Sequence, residues 1–544
     1  MVILGVGADR MSKRKEMQAG TLEEAIKVIG DRKLYDLYER LVSLETTNLE
    51  DPKNDRYVKN NYAAASQAIL EFAEGEGFDS WIYDPAPDEE IPPTWSDTFP
   101  RPNVIIDYNV GSKDRLLIIT HYDVVPVPKD QAAQWTTPPN KLTFKNGRFY
   151  GRGSNDDIGS GVIPALQAIR ELKRDGPSKV NIRIIAGCDE ETGGAGGLEA
   201  MLRKHQLQIN RGESGLLEAD LAYLPDASPR VIAGSSGILF SDCVIGEDAR
   251  FDAFLAFLRG MKGFNAERLK VLSCYDSADW PDGGAPNAKI TSRFTHTKLD
   301  WEGGDGTVSL KVHAETESHN YIPGVVTVEF EGEVGPLYDA VKGLSKAHPI
   351  KLVASEKSRL AFQVVGKGGH GGAPHKAKNA SDLSLPVLEE LSKLMPKLIG
   401  KGSAGFDMRL TPDESMPKAF AELERWFEKE RAKLPGIKLI SPDARRKQGY
   451  ATPIEDPDLQ FLASAVQDLT GERPKIVGEY GGTDASSFEG VLTPKGKPIR
   501  ALMYGSINSE ARAHDYDENA DPYLMRRVTD IIVWMARNWE RRKG

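Results

Sequence analysis

Short apolar runs and helix-like repeats alternate along the N-terminal part of the chain. Apolar residues at a helical period predict four helices, over 21–48, 60–75, 160–174 and 196–205. Short apolar runs predict three strands, at 116–120, 180–186 and 221–224. Strand, helix, strand, helix, strand in this order is typical of an α/β sheet with parallel crossovers.

The pattern changes between about residues 231 and 445. There, β-rich runs predict strands at 307–312, 325–330 and 360–365. Helices are predicted at 250–261, 335–346 and 381–398, and then near 457–470 and 521–541, where the α/β pattern resumes. This organisation predicts one α/β domain split by an inserted α+β domain, with the parts at 1–232, 233–445 and 446–544.

Composition places the chain among ordinary globular proteins. Of its 544 residues, 40% are hydrophobic and 28% are charged, which excludes a disordered chain, a collagen-like chain and a coiled coil. The net charge of −10 argues against a dedicated nucleic-acid binder. A membrane partner is not expected either, since the sequence contains no apolar stretch of about 18–20 residues.

Three cysteines bear on the compartment. Cys188, Cys243 and Cys274 cannot form a complete set of disulfides, which favours a reducing compartment, and we expect the protein to be cytoplasmic. Residues 1–8 lack the basic start of a secretory signal, and Met11 competes with Met1 as the natural start.

Acidic and imidazole side chains follow the three predicted strands and one glycine-rich turn. They are His121 and Asp123, Asp156, Glu190 and Glu191, and Asp226. In open α/β sheets, this edge is where ligands bind. Taken singly, each group has an ordinary interpretation as a surface pair, a turn or a solvated helix face. Burying all of these groups together costs desolvation free energy at each of them, and a bound cation would offset that cost. A set of His and carboxylate ligands suits Zn²⁺ or Mn²⁺ better than Ca²⁺.

The motifs around these residues resemble those of the di-zinc exopeptidases. This family includes aminoacylases, acetylornithine and succinyl-diaminopimelate deacylases, glutamate carboxypeptidase and carnosinase-like dipeptidases. The resemblance covers roughly residues 60–540, and Ile158 departs from it, since many members have Lys there. The motifs, in order, are His121-Tyr-Asp-Val-Val-Pro126, Gly151-Arg-Gly-Ser-Asn-Asp-Asp157, Asp189-Glu-Glu-Thr-Gly193, Pro225-Asp226, Gly366-Lys-Gly-Gly-His-Gly-Gly-Ala-Pro374 and His514-Asp-Tyr-Asp-Glu518.

The resemblance implies a fold and a two-metal site. The fold is an α/β catalytic domain with a mixed, mostly parallel sheet flanked by helices, plus an inserted α+β domain that serves as a lid or for dimerisation. Two divalent ions per chain are implied, zinc first, with manganese or cobalt as alternatives. Asp156 would bridge the ions, and each ion would take two further ligands, which are His121 with Asp226 and Glu191 with His514.

Two further residues of the motifs carry implied roles beside the ions. Asp123 would orient the imidazole of His121 through its second nitrogen. Glu190 would be the general base, taking a proton from the metal-activated water and delivering it to the leaving amine. A cis peptide bond is expected between Asp156 and Asp157.

Substrate contacts are implied for residues of the inserted segment and of Gly481-Gly-Thr-Asp-Ala485. His370 would stabilise the oxyanion, and Arg409 would bind a terminal carboxylate with Asn320 beside it. Their ordinary interpretations are a loop histidine, a strand-edge arginine and a structural asparagine. Gly482 and Thr483 would lie near the substrate. His370, Asn320 and Arg409 can act only if the inserted domain closes over the metals or a second copy supplies them, so a monomer and a homodimer both stay open.

The leading interpretation is a metallo-dipeptidase that hydrolyses peptide bonds in dipeptides or short peptides. The large inserted segment and Tyr223-Leu-Pro-Asp226 resemble the dipeptidase branch. The alternatives within the family are an N-acyl-amino-acid deacylase and a carboxypeptidase acting on longer chains. An inactive metal-binding scaffold is the alternative outside enzymes, and the complete ligand set with Glu190 argues against it.

Overall fold

The computed structural model describes most of the chain. The described residues are 18–47, 61–91, 100–127, 132–176, 178–267, 271–272, 290–291, 293–314, 321–370, 377–411, 414–434, 436–440, 446–479, 483–493 and 495–543. Within them, the α-helices are α1 Leu22–Ile29, α2 Arg32–Ser43, α3 Tyr62–Gly75, α4 Ile163–Asp175, α5 Leu198–Asn210, α6 Phe251–Glu267, α7 Gly335–Leu344, α8 Ala380–Ser392, α9 Met416–Arg431, α10 Pro457–Thr470 and α11 Pro522–Arg537.

Twenty-five strands are assigned within the same residues. In chain order they are β1 Asp79–Tyr83, β2 Asn103–Tyr108, β3 Arg115–His121, β4 Thr143–Lys145, β5 Arg148–Tyr150, β6 Asn181–Gly187, β7 Leu221–Leu224, β8 Val231–Ser235, β9 Gly237–Arg250, β10 Val271–Leu272, β11 Ile290–Thr291, β12 Arg293–Gly304, β13 Val308–Ala314, β14 Tyr321–Ile322, β15 Val325–Gly332, β16 Ile350–Glu356, β17 Arg359–Val365, β18 Gly369–His370, β19 Ile399–Leu410, β20 Lys438–Ile440, β21 Arg446–Lys447, β22 Tyr450–Ala451, β23 Ile476–Glu479, β24 Ala501–Met503 and β25 Asn519–Ala520.

The first large sheet has the strand order β1-β2-β6-β3-β7-β24-β8-β22, with β23 beside β8. Its four middle strands, β6, β3, β7 and β24, run parallel to one another, and antiparallel strands flank them. Helices cover both faces, so the middle strands are buried on both sides. Along β3, Leu117 and Ile119 lie in one apolar cluster, and Leu116 and Ile118 lie in another. Burial on both faces is why these strands are continuous apolar runs in the sequence.

The second large sheet is antiparallel, with the order β16-β17-β15-β13-β12-β19-β9-β20 and β21 beside β9. In β13, Val308, Leu310 and Val312 are buried, whereas Ser309 and Lys311 between them are exposed. This alternation is expected for a sheet with one face on a core and one in water. The predicted fold class, a mixed α/β sheet with a separate α+β part, is confirmed.

The chain passes between the two sheets at two points. It leaves the first sheet after β8 and enters the second at Gly237, and it returns between β21 and β22, that is, between Lys447 and Tyr450. These crossings support the division into 1–232, 233–445 and 446–544, which stays a prediction. In the smaller sheets, β5 pairs with both β4 and β25, β10 pairs with β11, and β14 pairs with β18.

Two helix predictions need correction. The predicted helix over 21–48 is two helices, because Gly30 adopts φ 150° between them and the Asp31 side chain accepts the N–H of Leu34 to begin α2. The predicted helix over 381–398 ends at Ser392. In the described ranges, we find no helix with the length and apolar character that crossing a bilayer requires.

Candidate metal-binding active site

The parallel strands of the first sheet bring the predicted site residues to one edge. β3 ends at His121, which pairs in register with Gly187 at the end of β6. β7 pairs with β3 on its other side and ends at Leu224, two residues before Asp226. Carboxyl ends of adjacent parallel strands meet at the same edge, so the residues that follow these three strands lie close together.

The turn that carries Asp156 is held by a buried carboxylate. The Glu518 Oε1 atom accepts the backbone N–H groups of Asn155, at 2.9 Å, and of Asp156, at 3.1 Å. Its other oxygen lies 2.5 Å from Nη1 of Arg152, and the Glu518 and Arg152 side chains are only 1% and 5% exposed. The expected cis peptide bond between Asp156 and Asp157 is present. The quoted motifs contain Arg152 and Glu518, but the sequence does not show that the two meet behind Asp156.

Two glycines allow close packing in the turn that follows Asp156. The Oδ2 atom of Asp157 accepts the backbone N–H of His121 at 3.3 Å, and its Oδ1 accepts the hydroxyl of Ser160. A Cβ atom on Gly161 would overlap the Asp157 carboxylate, and one on Gly159 would overlap the carbonyl of Ser154. Asp157 therefore ties the turn to the end of β3, and only glycine fits beside it.

The five predicted ligands come together around Asp156. Its Oδ1 lies 3.4 Å from Nε2 of His121, and its Oδ2 lies 3.1 Å from Nε2 of His514. The Asp226 carboxylate is 4.0 Å from the same nitrogen of His121, and Glu191 is 3.0 Å from that of His514. Two histidine–carboxylate sets thus share the two oxygens of one aspartate.

Glu190 lies beside this arrangement. Ligand atoms of His121, Glu190 and Asp226 all fall within 4.8 Å of one another, and so do those of His121, Asp156 and Glu191. Although they are neighbours in sequence, the two glutamates have different partners. Glu191 contacts His514, whereas Glu190 Oε1 lies 3.6 Å from Nζ of Lys447.

The residues fit divalent cations. Nδ1 of His121 is 3.0 Å from the carbonyl oxygen of Asp123, which assigns the ring proton to Nδ1 and leaves the lone pair of Nε2 directed at the carboxylates. This Nε2 atom is buried and has no hydrogen-bond partner among the described residues. A buried lone pair that faces carboxylate oxygens is unfavourable without a cation between them, and His with carboxylates is a donor set suited to zinc.

Asp123 positions more than one segment. Its carboxylate oxygens accept the backbone N–H groups of Glu190, at 3.2 Å, and of Glu191, at 3.1 Å. Toward His121, the nearer atom is its main-chain oxygen, since the Asp123 Oδ1 atom is 3.4 Å from Nδ1. Asp123 therefore contacts the second nitrogen of the imidazole mainly through its backbone, and its carboxylate anchors the loop of both glutamates.

The electrostatics of the site are dominated by buried negative charge. Burial raises the pKa of Glu190 to about 7, although the charge of Lys447 opposes this. Burial and the carboxylates of Asp156 and Asp157 raise the pKa of Asp226. Burial lowers the pKa of His514, but the carboxylates of Glu191 and Asp156 more than offset this and raise it above its ordinary value. Bound cations would compensate this excess of carboxylates.

Lys447 is a site residue that sequence reasoning missed. It lies on β21 of the second sheet, and its Nζ atom is 3.0 Å from Oδ1 of Asp484. Burial disfavours the ammonium charge, but the carboxylates of Asp484 and Glu190 prevail and raise the pKa of Lys447. In the sequence it belongs to a short polar run, Arg445-Arg-Lys-Gln448, which carries no signal of a buried position.

The Arg409 side chain pairs with a carboxylate of its own strand. Its guanidinium donates to Asp407 from Nε, at 2.8 Å, and from Nη2, at 2.7 Å, and its side chain is 2% exposed. It also packs over the ring of Phe240. In this geometry Arg409 is committed to a carboxylate of its own strand, so its role as a substrate anchor stays a prediction.

The structure describes only some of the other predicted substrate-binding residues. Thr483 is buried, and its hydroxyl accepts the N–H of Ala485 at the start of a short 3₁₀ helix. The backbone of His370 lies in β18, paired with Tyr321, and its side chain is outside the described part of the chain. Asn320 and Gly482 also lie outside the described residues.

The sequence is similar to a family of peptidases and to individual dipeptidases. The sequence model of "Peptidase family M20/M25/M40" matches residues 117–538. The cysteinylglycine-S-conjugate dipeptidase of Corynebacterium striatum is 37% identical over 419 residues, which cover 76% of this chain and 78% of that protein. The Beta-Ala-Xaa dipeptidase of Lactobacillus delbrueckii subsp. lactis is 30% identical over 210 residues, which cover 38% of this chain and 37% of that protein.

Solved structures share the fold at low sequence identity. The crystal structure of human carnosine dipeptidase 1 matches with a TM-score of 0.56 and 15% identity, covering 96% of this chain and 100% of that one. The di-peptidase Dug1p from Saccharomyces cerevisiae matches with a TM-score of 0.57 and 14% identity, covering 96% and 98%. The family match over most of the chain and the converging histidine and carboxylate ligands together establish that this protein belongs to peptidase family M20/M25/M40, as one of its metallopeptidases.

Proposed function

We propose that this protein is a dipeptidase that hydrolyses the peptide bond of dipeptides or short peptides and uses two divalent ions, zinc first. One observation carries the proposal: two histidine–carboxylate sets share the two oxygens of Asp156, with Glu190 beside them. The two relatives described above are both dipeptidases, which supports the substrate class.

His121 with Asp226 would hold one ion, Glu191 with His514 the other, and Asp156 both. When bound, such a pair of ions lowers the pKa of water and polarises a scissile carbonyl. The chain itself orients the ligands, because Asp123 contacts the His121 imidazole and Glu518 fixes the backbone at Asp156. Buried carboxylates with these contacts present their oxygens in a fixed geometry, as metal ligands require.

Glu190 would move the proton. It would accept one from the attacking water and deliver it to the nitrogen of the leaving amine, so that the cleaved bond ends as a carboxylate and an amine. The separate partners of the two glutamates support this division of roles. Glu191 is committed to His514, whereas the Glu190 carboxylate is held by a lysine.

The substrate-binding part of the proposal rests on residues near the inserted segment. His370 would stabilise the oxyanion, and Arg409 and Asn320 would hold a terminal carboxylate once the segment 233–445 closes, within a monomer or from a second copy in a homodimer. Gly482 and Thr483 would line the substrate. We also propose a cytoplasmic location, supported by the buried free thiols of Cys188 and Cys243.

A substrate panel with the variant Glu190→Gln tests the proposal. Zinc-loaded protein, with manganese- and cobalt-loaded samples beside it, is assayed on unblocked dipeptides, tripeptides and N-acetyl amino acids. We expect hydrolysis of dipeptides, and a fall of about 10²–10⁴-fold in kcat for Glu190→Gln with the metal content unchanged.

Glu191→Gln is the matched control, because it changes the neighbouring carboxylate in the same way. It is expected to reduce the bound metal, since Glu191 is placed as a ligand of the ion beside His514. Preference for N-acetyl amino acids would instead indicate a deacylase. Near-normal turnover by Glu190→Gln would show that another group is the base.

A further inference from the structure

The ammonium group of Lys447, on a strand of the second sheet, lies beside the edge of the first sheet that carries the predicted metal ligands. Lys447 is the last residue of β21 and pairs with Ile238 on β9. Three residues later, Tyr450 pairs with Ser235 on β8 of the first sheet. Lys447 therefore lies where the chain returns from one sheet to the other, and a short, paired segment of backbone fixes its position.

The surroundings of its ammonium group are built from carboxylates. Nζ lies 3.0 Å from Asp484 Oδ1 and 3.6 Å from Glu190 Oε1, and the side chain is 12% exposed. Glu199 adds a third negative charge nearby and is itself bonded by the hydroxyl of Ser487. A largely buried ammonium is stable only with such compensation, which makes these contacts persistent rather than incidental.

The two neighbouring glutamates differ mainly in what holds their side chains. Asp123 anchors the backbone of both, through the N–H groups of Glu190 and Glu191. Their carboxylates are then separated, with Glu191 drawn to His514 and Glu190 to Lys447. The Glu190 carboxylate already lies near ligand atoms of His121 and Asp226, and the ammonium group of Lys447 opposes a further turn of this carboxylate toward them.

We propose that Lys447 is a positioning residue that holds the Glu190 carboxylate in place for proton transfer. This inference rests on the proposed role of Glu190 as the general base. Lys447 acts through Glu190 and leaves the metal ligands as they are. A misplacement of the order of 1 Å at a reacting group can lower a rate by about 100-fold, so the effect is measurable.

The variants Lys447→Met and Lys447→Arg test this positioning role. For Lys447→Met we expect kcat for a dipeptide to fall by up to about 100-fold, with KM and the number of bound ions near their wild-type values. Lys447→Arg keeps the charge and is expected to recover part of the rate. Lys438→Met is the control, because Lys438 is an exposed lysine on β20, which pairs with the same strand β9. If Lys447→Met does not fold, Lys447→Gln keeps the volume and a donor and takes its place.

A double-mutant comparison decides how Lys447 acts. In a Glu190→Gln background, Lys447→Met is expected to lower kcat no further, because residues that act as a unit are not additive. An equal loss in both backgrounds would overturn the inference. So would a rise in KM confined to substrates with a free carboxylate, which would make Lys447 a substrate contact.

The outcomes separate this inference from the proposed function. Normal turnover by Lys447→Met beside an impaired Glu190→Gln overturns the positioning role alone. Normal turnover by Glu190→Gln overturns the proposed base, and the role of Lys447 with it.

Discussion

The edge of the first sheet and strand β19 of the second sheet both bury charged side chains, but they balance the charge differently. On β19, Arg409 meets Asp407 two residues away, and both side chains are at most 2% exposed. At the edge of the first sheet, Asp156, Asp226 and Glu191 face two histidines and one another. The first arrangement is neutral within the chain, whereas the second keeps an excess of negative charge.

This difference concerns how buried charge is neutralised in the two places. In a buried pair of opposite charges each group compensates the other, and removing one partner leaves an uncompensated buried charge. A buried cluster of carboxylates beside an imidazole nitrogen that has no hydrogen-bond partner among the described residues is stable only when positive charge joins it, and the two proposed divalent ions would supply that charge. Exposed ion pairs are a third arrangement of charge, because water screens the attraction between their charges and leaves them with little effect on stability.

The largest expected effect is from removing metal ions. Chelation is expected to reduce hydrolysis to background and to lower the unfolding temperature, because an ion that binds only the folded state at 100 times its Kd stabilises it by about 2.7 kcal/mol. Elemental analysis before and after chelation, with calorimetry, measures both effects. Fewer than two ions per active chain would contradict the proposal that two divalent ions balance the negative charge at the edge of the first sheet.

A smaller effect is expected for Arg409→Ala. It leaves Asp407 buried without its cation, and we expect the free energy of unfolding to fall by about 3–5 kcal/mol, measured by denaturant titration. The double variant Asp407→Leu with Arg409→Met removes both charges and is expected to recover most of that loss. A weakening of substrates with a free carboxylate, beyond the loss of stability, would support the proposed role of Arg409 as a substrate anchor.

The smallest effect is expected at an exposed pair on the second sheet. Glu302 on β12 and Lys311 on β13 lie opposite each other, with Nζ and Oε1 3.6 Å apart and side chains 56% and 65% exposed. Lys311→Ala is expected to change the free energy of unfolding by less than about 0.5 kcal/mol. Raising the salt concentration should leave that small difference unchanged or reduce it. A loss near that of Arg409→Ala would mean that burial does not decide the value of an ion pair here.

Much of the fold and of the site was predictable from local sequence. The strands β3, β6 and β7 are apolar because both faces of the sheet are covered, and the polar residues His121, Glu191 and Asp226 lie at or within a few residues of the ends of these strands. Parallel strands bring such ends to one edge whatever their spacing along the chain. Order and residue type therefore predicted that these side chains lie at one edge, whereas the family resemblance implied which of them are ligands and added His514.

Other features depend on contacts that no local pattern encodes. The break at Gly30 follows from one backbone conformation. Arg409 is buried because β9 and β12 flank β19, and Asp407 on the same strand supplies the opposite charge. Lys447 is the clearest case. It reaches Glu190 because β21 pairs with β9, a strand far away in sequence, and because the chain then crosses into the first sheet. Hydrophobic periodicity determines which face of an element is buried, but only tertiary packing decides which distant strand lies beside it and so which charges meet.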